Sequence, residues 1–134
     1  MTSYFDSSVI VASVLLEDRT DEARELIAGA EARTTSPLSI VETRRAMWIA
    51  HESRHPVKLA SQFSELMAAF AFVGEQPSIW MQAADVAERT GVKSLDAIHL
   101  AAASFLEIEE LQFVTFDRKQ ADAARAIGLP VVGA

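Results

Sequence analysis

Two short stretches decide how this chain reads: YFDSS, Tyr4 to Ser8, and TFDRK, Thr115 to Lys119. Each leaves an apolar run, passes through Phe-Asp and opens into a segment of helical length. A strand that hands over to a helix is half of a βαβ unit, and open parallel sheets gather their ligands at the carboxyl ends of the strands. Asp6 and Asp117 are therefore both expected at a strand end, on one rim.

Outward from these stretches the alternation continues. Ser3 to Phe5 reads as a strand and Val9 to Leu16 as a helix after Ser7-Ser8. A second helix, with Asp21 and Glu22 in its first turn, runs to about Ala30. Thr34-Thr35-Ser36 suggests a brief strand closed by Pro37. Leu38 to about Glu52 is helical, His55-Pro56 interrupts, and Val57 to Val73 resumes as a helix with an apolar, extended end. Gly74 and Pro77 punctuate, Ser78 to Thr90 is an amphipathic helix stopped by Gly91, and SLDAIHLAAASF, Ser94 to Phe105, is helical and apolar on nearly every side. QFVTFD follows as a buried strand, Arg118 to Ile127 as a helix ended by Gly128, and LPVVG as a closing strand. The expected architecture is an α/β sandwich: a parallel sheet of short strands covered by helices on both faces, with right-handed crossovers.

The 134 residues, half of them apolar and none of them Cys, fit one compact domain over 1–134. Without Cys there is no disulfide framework and no thiolate metal site. The N-terminus lacks the basic flank and cleavage site of a signal peptide, and no apolar run approaches the roughly 20 residues that cross a bilayer, so a cytoplasmic protein away from membranes is expected. The formal charge of −7, from 19 acids against 12 Lys and Arg, argues against a general electrostatic grip on nucleic acid. That imbalance softens if several acids share one cation.

Four acids invite that reading. Asp6 and Asp117 end strands, Asp96 sits in the first turn of an all-apolar helix, and Glu42 lies early in another. Each has an ordinary alternative: Asp6 or Asp117 as a helix cap, Ser39 and Glu42 as a capping box, Ser94 as N-cap with Asp96 on the helix dipole. Brought to one rim, however, carboxylates repel and raise one another's pKa unless a cation holds them. An all-oxygen set with only three scattered His suits Mg²⁺ or Mn²⁺ better than Zn²⁺.

YFDSS, SIVETRRA, SLDAIHLAAA and FVTFDRK resemble, in that order and spacing, the acidic motifs of PIN domains, and among these the short bacterial toxins of VapC type. The resemblance spans essentially the whole chain. It implies a PIN sandwich, a metal-dependent endoribonuclease and a cognate antitoxin that blocks the site, and it carries Asp6, Glu42, Asp96 and Asp117 onto the family's acidic positions. Ser8 and Thr115 are nearby hydroxyls able to steady a carboxylate or merely to cap. In such a site Asp6 and Asp96 are the expected direct ligands, Asp117 a ligand or a holder of water at the ion, and Glu42 a ligand or proton acceptor, for in-line hydrolysis of a phosphodiester.

His99, one turn beyond Asp96, reads as a packed and hydrogen-bonded core residue rather than a ligand or proton shuttle. Asp122 reads as solvent-facing. Arg44, Arg45, Lys93, Arg118 and Lys119 lie close to the acids and could meet RNA phosphates, or simply face solvent. No basic ladder interleaved with aromatics exists, so recognition of an unpaired loop by shape is expected. Met47-Trp48-Ile49 and Trp80-Met81 place bulky apolar groups side by side. Core packing is their default, and a homodimer or antitoxin surface the sharper alternative. A receiver domain would need an acid pair after the first strand, and a haloacid-dehalogenase-type phosphatase a second Asp at position 8, which is Ser8. A non-catalytic PIN-like binding module is the remaining alternative.

Overall fold

In the computed structural model, which describes residues 1–15, 17–51 and 55–134, strands and helices alternate as the sequence implies. The strands are β1 (Thr2–Phe5), β2 (Ala32–Thr35), β3 (Ala71–Phe72), β4 (Gln112–Val114) and β5 (Val131–Val132). The helices are α1 (Ser7–Val14), α2 (Thr20–Gly29), α3 (Leu38–His51), α4 (Pro56–Met67), α5 (Pro77–Thr90), α6 (Ser94–Phe105) and α7 (Arg118–Ala126). The strands form one sheet in the order β3-β2-β1-β4-β5, and every pairing is parallel.

That order carries the functional geometry. From β1 the chain steps out through β2 to β3, then crosses back to β4 and β5 on the other side of β1. The direction of winding therefore reverses between β1 and β4, and the loops leaving these strands diverge to open a crevice at their carboxyl ends. The same reversal sends the crossover helices to opposite faces. Tyr4 and Phe113 point to one face, against Ile79, Ala83 and Val86 of α5, Leu100 of α6 and Ala124 of α7. Phe5 and Val114, their neighbours in the alternation, point to the other, against Val9 and Ile10 of α1, Ala23 of α2 and Phe70. Met47 of α3 packs with Leu59 and Phe63 of α4 in a smaller cluster.

Several element ends differ from expectation. α1 begins at Ser7 and ends at Val14, and Leu16 lies outside the described residues, as does Glu52 beyond α3. β4 ends at Val114, so Asp117 stands three residues past the strand rather than at its end. Ser94 is not the N-cap of α6. It is the first helical residue, Lys93 occupies the cap position, and no side chain caps that end. α5 closes as expected on Gly91, whose φ of 77° lies in the left-handed region and whose amide reaches back to Ala87.

Candidate active site

Pairing of Phe5 with Val114 in the β1–β4 ladder places the next residues, Asp6 and Thr115, opposite one another across the crevice. Asp6 is held there by its own amide, which donates to the Val114 carbonyl at 3.1 Å. Its carboxylate is 3% exposed and accepts two hydroxyls, Ser8 Oγ on Oδ1 at 2.6 Å and Thr115 Oγ1 on Oδ2 at 3.0 Å. Although Asp6 stands at the N-cap of α1, its side chain makes no capping bond. Burial raises its pKa from 3.8 to about 6, against the stabilising hydrogen bond from Ser8 and the pull of His99.

Asp117, by contrast, does cap: Oδ1 accepts the Gln120 amide of α7 at 2.9 Å. Its own amide donates to Thr115 Oγ1 at 3.0 Å, so one buried hydroxyl touches both acids. Gln120, fully buried, extends this connection. Its Oε1 accepts from Thr115 Oγ1 at 3.2 Å, and its Nε2 donates to the Asp96 carbonyl at 3.4 Å. Thr115 owns one hydroxyl proton and so serves Asp6 or Gln120 at any instant. Asp96, half-buried in the first turn of α6, has a raised pKa through desolvation first and the charge of Asp117 second.

Glu42 approaches from α3. The capping box with Ser39 does not form: Ser39 Oγ meets Thr35 Oγ1 at 2.6 Å, while Glu42 Oε1 lies 2.6 Å from His99 Nε2. His99 is buried and hydrogen-bonded, as the sequence suggests, but it bonds to an acid of the site. Its other nitrogen, Nδ1, is 2.7 Å from the hydroxyl of Tyr4. Sequence reasoning passed over Tyr4 and Gln120 because a strand Tyr and a helix Gln are unremarkable until the neighbouring elements are in place.

Asp6, Glu42, Asp96 and Asp117 line one cleft of about 650 Å³, with Ser8, Glu17 and Arg45 among its walls. Their oxygens suit a hard divalent cation, and the raised pKa values of Asp6 and Asp96 are what carboxylates show before a cation offsets their charge. Among the described residues no three Asp, Glu or His side chains converge tightly enough to form a ready-made cage. The donor set fits such an ion in chemistry. Asp122 faces solvent and pairs with Arg125 at 3.3 Å.

A second cavity, about 380 Å³ and mainly apolar, opens between α3 and α5 and is lined by Leu38, Ile40, Val41, Ile79 and Trp80. Core packing holds for Met47 alone of the adjacent bulky residues: Trp48, Ile49, Trp80 and Met81 are exposed. Among the described residues no helix is long and apolar enough to cross a membrane.

Four carboxylates thus line one cleft near the winding reversal of a parallel sheet: Asp6 just past the end of β1, Asp117 at the N-cap of α7, Glu42 on α3 and Asp96 on α6. The PIN domain family model matches residues 3–126, and the chain belongs to that family. It is 29% identical over 130 residues to Ribonuclease VapC46 of Mycobacterium tuberculosis, covering 96% of this chain and 95% of the relative. Its fold is similar to the crystal structure of PAE2754 from Pyrobaculum aerophilum, with a TM-score of 0.71 at 20% identity over 98% of this chain and 90% of the other. VapBC2 from Rickettsia felis, solved with a DNA fragment from its promoter, matches with a TM-score of 0.71 at 13% identity over 98% of both chains. FitAcB from Neisseria gonorrhoeae matches with a TM-score of 0.64 at 18% identity, over 96% of this chain and 95% of the other.

Proposed function

We propose that this chain, a single PIN domain over 1–134, is a metal-dependent endoribonuclease and the toxin of a toxin–antitoxin pair. The observation that carries the reading is the convergence of Asp6, Glu42, Asp96 and Asp117 on one cleft. Resemblance to a ribonuclease along nearly its whole length supports it.

Asp6 and Asp96, with Asp117 and Glu42 beside them, would hold Mg²⁺ or Mn²⁺, and the chemistry such an ion would supply is a more acidic water and compensation of negative charge at the phosphodiester. Ser8 and Thr115 fix both oxygens of Asp6, so the acid enters the cleft in one orientation. Arg45, on the cleft wall, supplies positive charge for an RNA phosphate. Glu42 receives a proton from water or positions it for attack. The partner antitoxin covers the acidic rim, and the exposed apolar residues of α3 and α5 serve it or a second copy of the chain.

The purified chain, freed of partner, is expected to cleave a structured RNA with Mg²⁺ or Mn²⁺ and to stop in chelator, while Asp6→Asn is inactive but folded. Cleavage that persists in chelator, or in Asp6→Asn, would overturn the reading. Co-expression with the neighbouring reading frame is expected to yield a complex that is inactive until the small partner is removed.

A further inference from the structure

Of the described imidazoles, the one that enters the site region is buried, and both of its nitrogens are spoken for. His99 Nε2 lies 2.6 Å from Glu42 Oε1, and His99 Nδ1 lies 2.7 Å from the Tyr4 hydroxyl. A carboxylate oxygen only accepts, so Nε2 must carry the proton of the first bond. The phenol is the natural donor of the second. With the proton on Nε2, Nδ1 of the neutral ring has only a lone pair to offer, and the Tyr4 hydroxyl, 2.7 Å away, is the group that can donate to it.

The ring of His99 has little room to turn. It stands edge-on to Tyr4, centroids 5.9 Å apart at 71°, and Tyr4 itself lies flat on Phe113 at 5.4 Å and 9°. The register that pairs Tyr4 with Phe113 across β1 and β4 is the register that sets Asp6 against Thr115. The chain of contacts thus leads from the sheet, through α6, to a carboxylate on α3 whose side chain makes no other hydrogen bond among the described residues. Glu42 is partly exposed, with 24% of its side chain open to solvent, and a free Glu side chain there would sample several rotamers.

We propose that Tyr4 and His99 are positioning residues for Glu42: the phenol fixes the imidazole as the Nε2–H tautomer, and the imidazole holds Oε1 so that the carboxylate meets the cleft in one orientation. The tautomer and the hold on Glu42 stand on the contacts themselves. Their effect on rate rests on the nuclease reading. The device resembles, in its logic, the fixing of a histidine by a partner on its second nitrogen, with the carboxylate here as the group being oriented.

The test uses the full chain, ¹⁵N-labelled and treated with chelator, and the long-range ¹H–¹⁵N spectrum of its imidazoles, with His99→Gln assigning the His99 signals. The expected spectrum has His99 protonated on Nε2 and accepting on Nδ1, and Tyr4→Phe, which keeps the stack on Phe113, shifts the Nδ1 signal and mixes the tautomers. In RNA cleavage, Tyr4→Phe and His99→Ala are expected to lower kcat tenfold or more with KM within twofold of wild type. His99→Gln, which restores an N–H donor near the position of Nε2, recovers most of the loss. Glu42→Ala combined with His99→Ala is expected to be no slower than Glu42→Ala alone. An Nδ1–H tautomer, a His99 spectrum unchanged in Tyr4→Phe, a wild-type kcat in Tyr4→Phe, or additive losses in the double variant would each overturn the proposal. A wild-type chain that cleaves no RNA would remove the nuclease reading, and the imidazole spectrum would still decide whether Tyr4 and His99 hold Glu42.

Discussion

Substitution of Asp6 by Asn should stabilise the metal-free protein near neutral pH while abolishing its activity. The carboxyl titrates at about 6 in the folded chain against 3.8 in an ordinary setting, and burial is the chief cause. Between those values the folded chain binds the proton that the unfolded chain has released. Stability from this group is therefore fully present below about pH 4 and lost as pH rises through 6. At 1.36 kcal/mol per pH unit the displacement amounts to about 3 kcal/mol against the ionised form. Asn removes that cost, but one of the two hydroxyls now donating to Asp6, from Ser8 or Thr115, must face an amide N–H₂ instead. That mismatch costs about 1 kcal/mol. The net gain at pH 8 is about 2 kcal/mol, or a melting temperature roughly 8 °C higher for a domain of this size. At pH 4, where wild-type Asp6 is already neutral, the variant should melt slightly lower. Thermal unfolding in chelator from pH 4 to 8 therefore gives two curves that cross. A variant less stable than wild type at every pH would refute both the burial of the ionised acid and its cost. Adding Mg²⁺ should raise the wild-type melting temperature by the linkage relation and move the variant far less.

Asp96→Asn should also raise the melting temperature in chelator, by less, because solvent screens this half-buried acid from Asp117. A lower melting temperature together with a normal Mg²⁺ response would return Asp96 to a helix-dipole role. Thr115→Val keeps the shape of a fully buried residue but removes the hydroxyl that serves both Asp6 and the Asp117 amide. A loss of about 1–3 kcal/mol in urea unfolding is expected, with impaired cleavage, and an unchanged midpoint would contradict the shared-hydroxyl geometry. Gly133→Ala should lower stability, since its φ of 104° disfavours a side chain and a Cβ would stand 2.5 Å from the Thr115 carbonyl oxygen. Gly29→Ala, at the end of α2 with open space around it, should be neutral or raise stability by up to about 1 kcal/mol, and equal effects at the two sites would refute this reading.

The alternation of apolar runs, helical segments and turn residues was sufficient to place the strands and helices and to imply a parallel sheet, because each such signal is local. Phe-Asp after two apolar runs, an acid in an apolar helix and an acid after Ser39 were equally legible, since a charged group in an apolar context stands out in one dimension. What each acid does was not legible. Asp6 and Asp117 share a motif, yet Asp117 caps its helix while Asp6 takes two hydroxyls. That difference follows from the β1–β4 register, which sets Thr115 opposite Asp6 and is a property of pairing between residues more than a hundred positions apart. The Ser39–Glu42 spacing read as a local cap, but Ser39 at the start of α3 is buried and the Leu38 amide donates to Ser36 Oγ instead, which leaves Glu42 to meet the buried imidazole of His99, 57 residues away. For Trp48 and Trp80 the sequence left core packing as the default and an exposed surface as the alternative, and both are exposed. Periodicity shows that adjacent bulky residues cannot share one buried face, but only the packing of α3 and α5 decides which of them the sheet has room to cover.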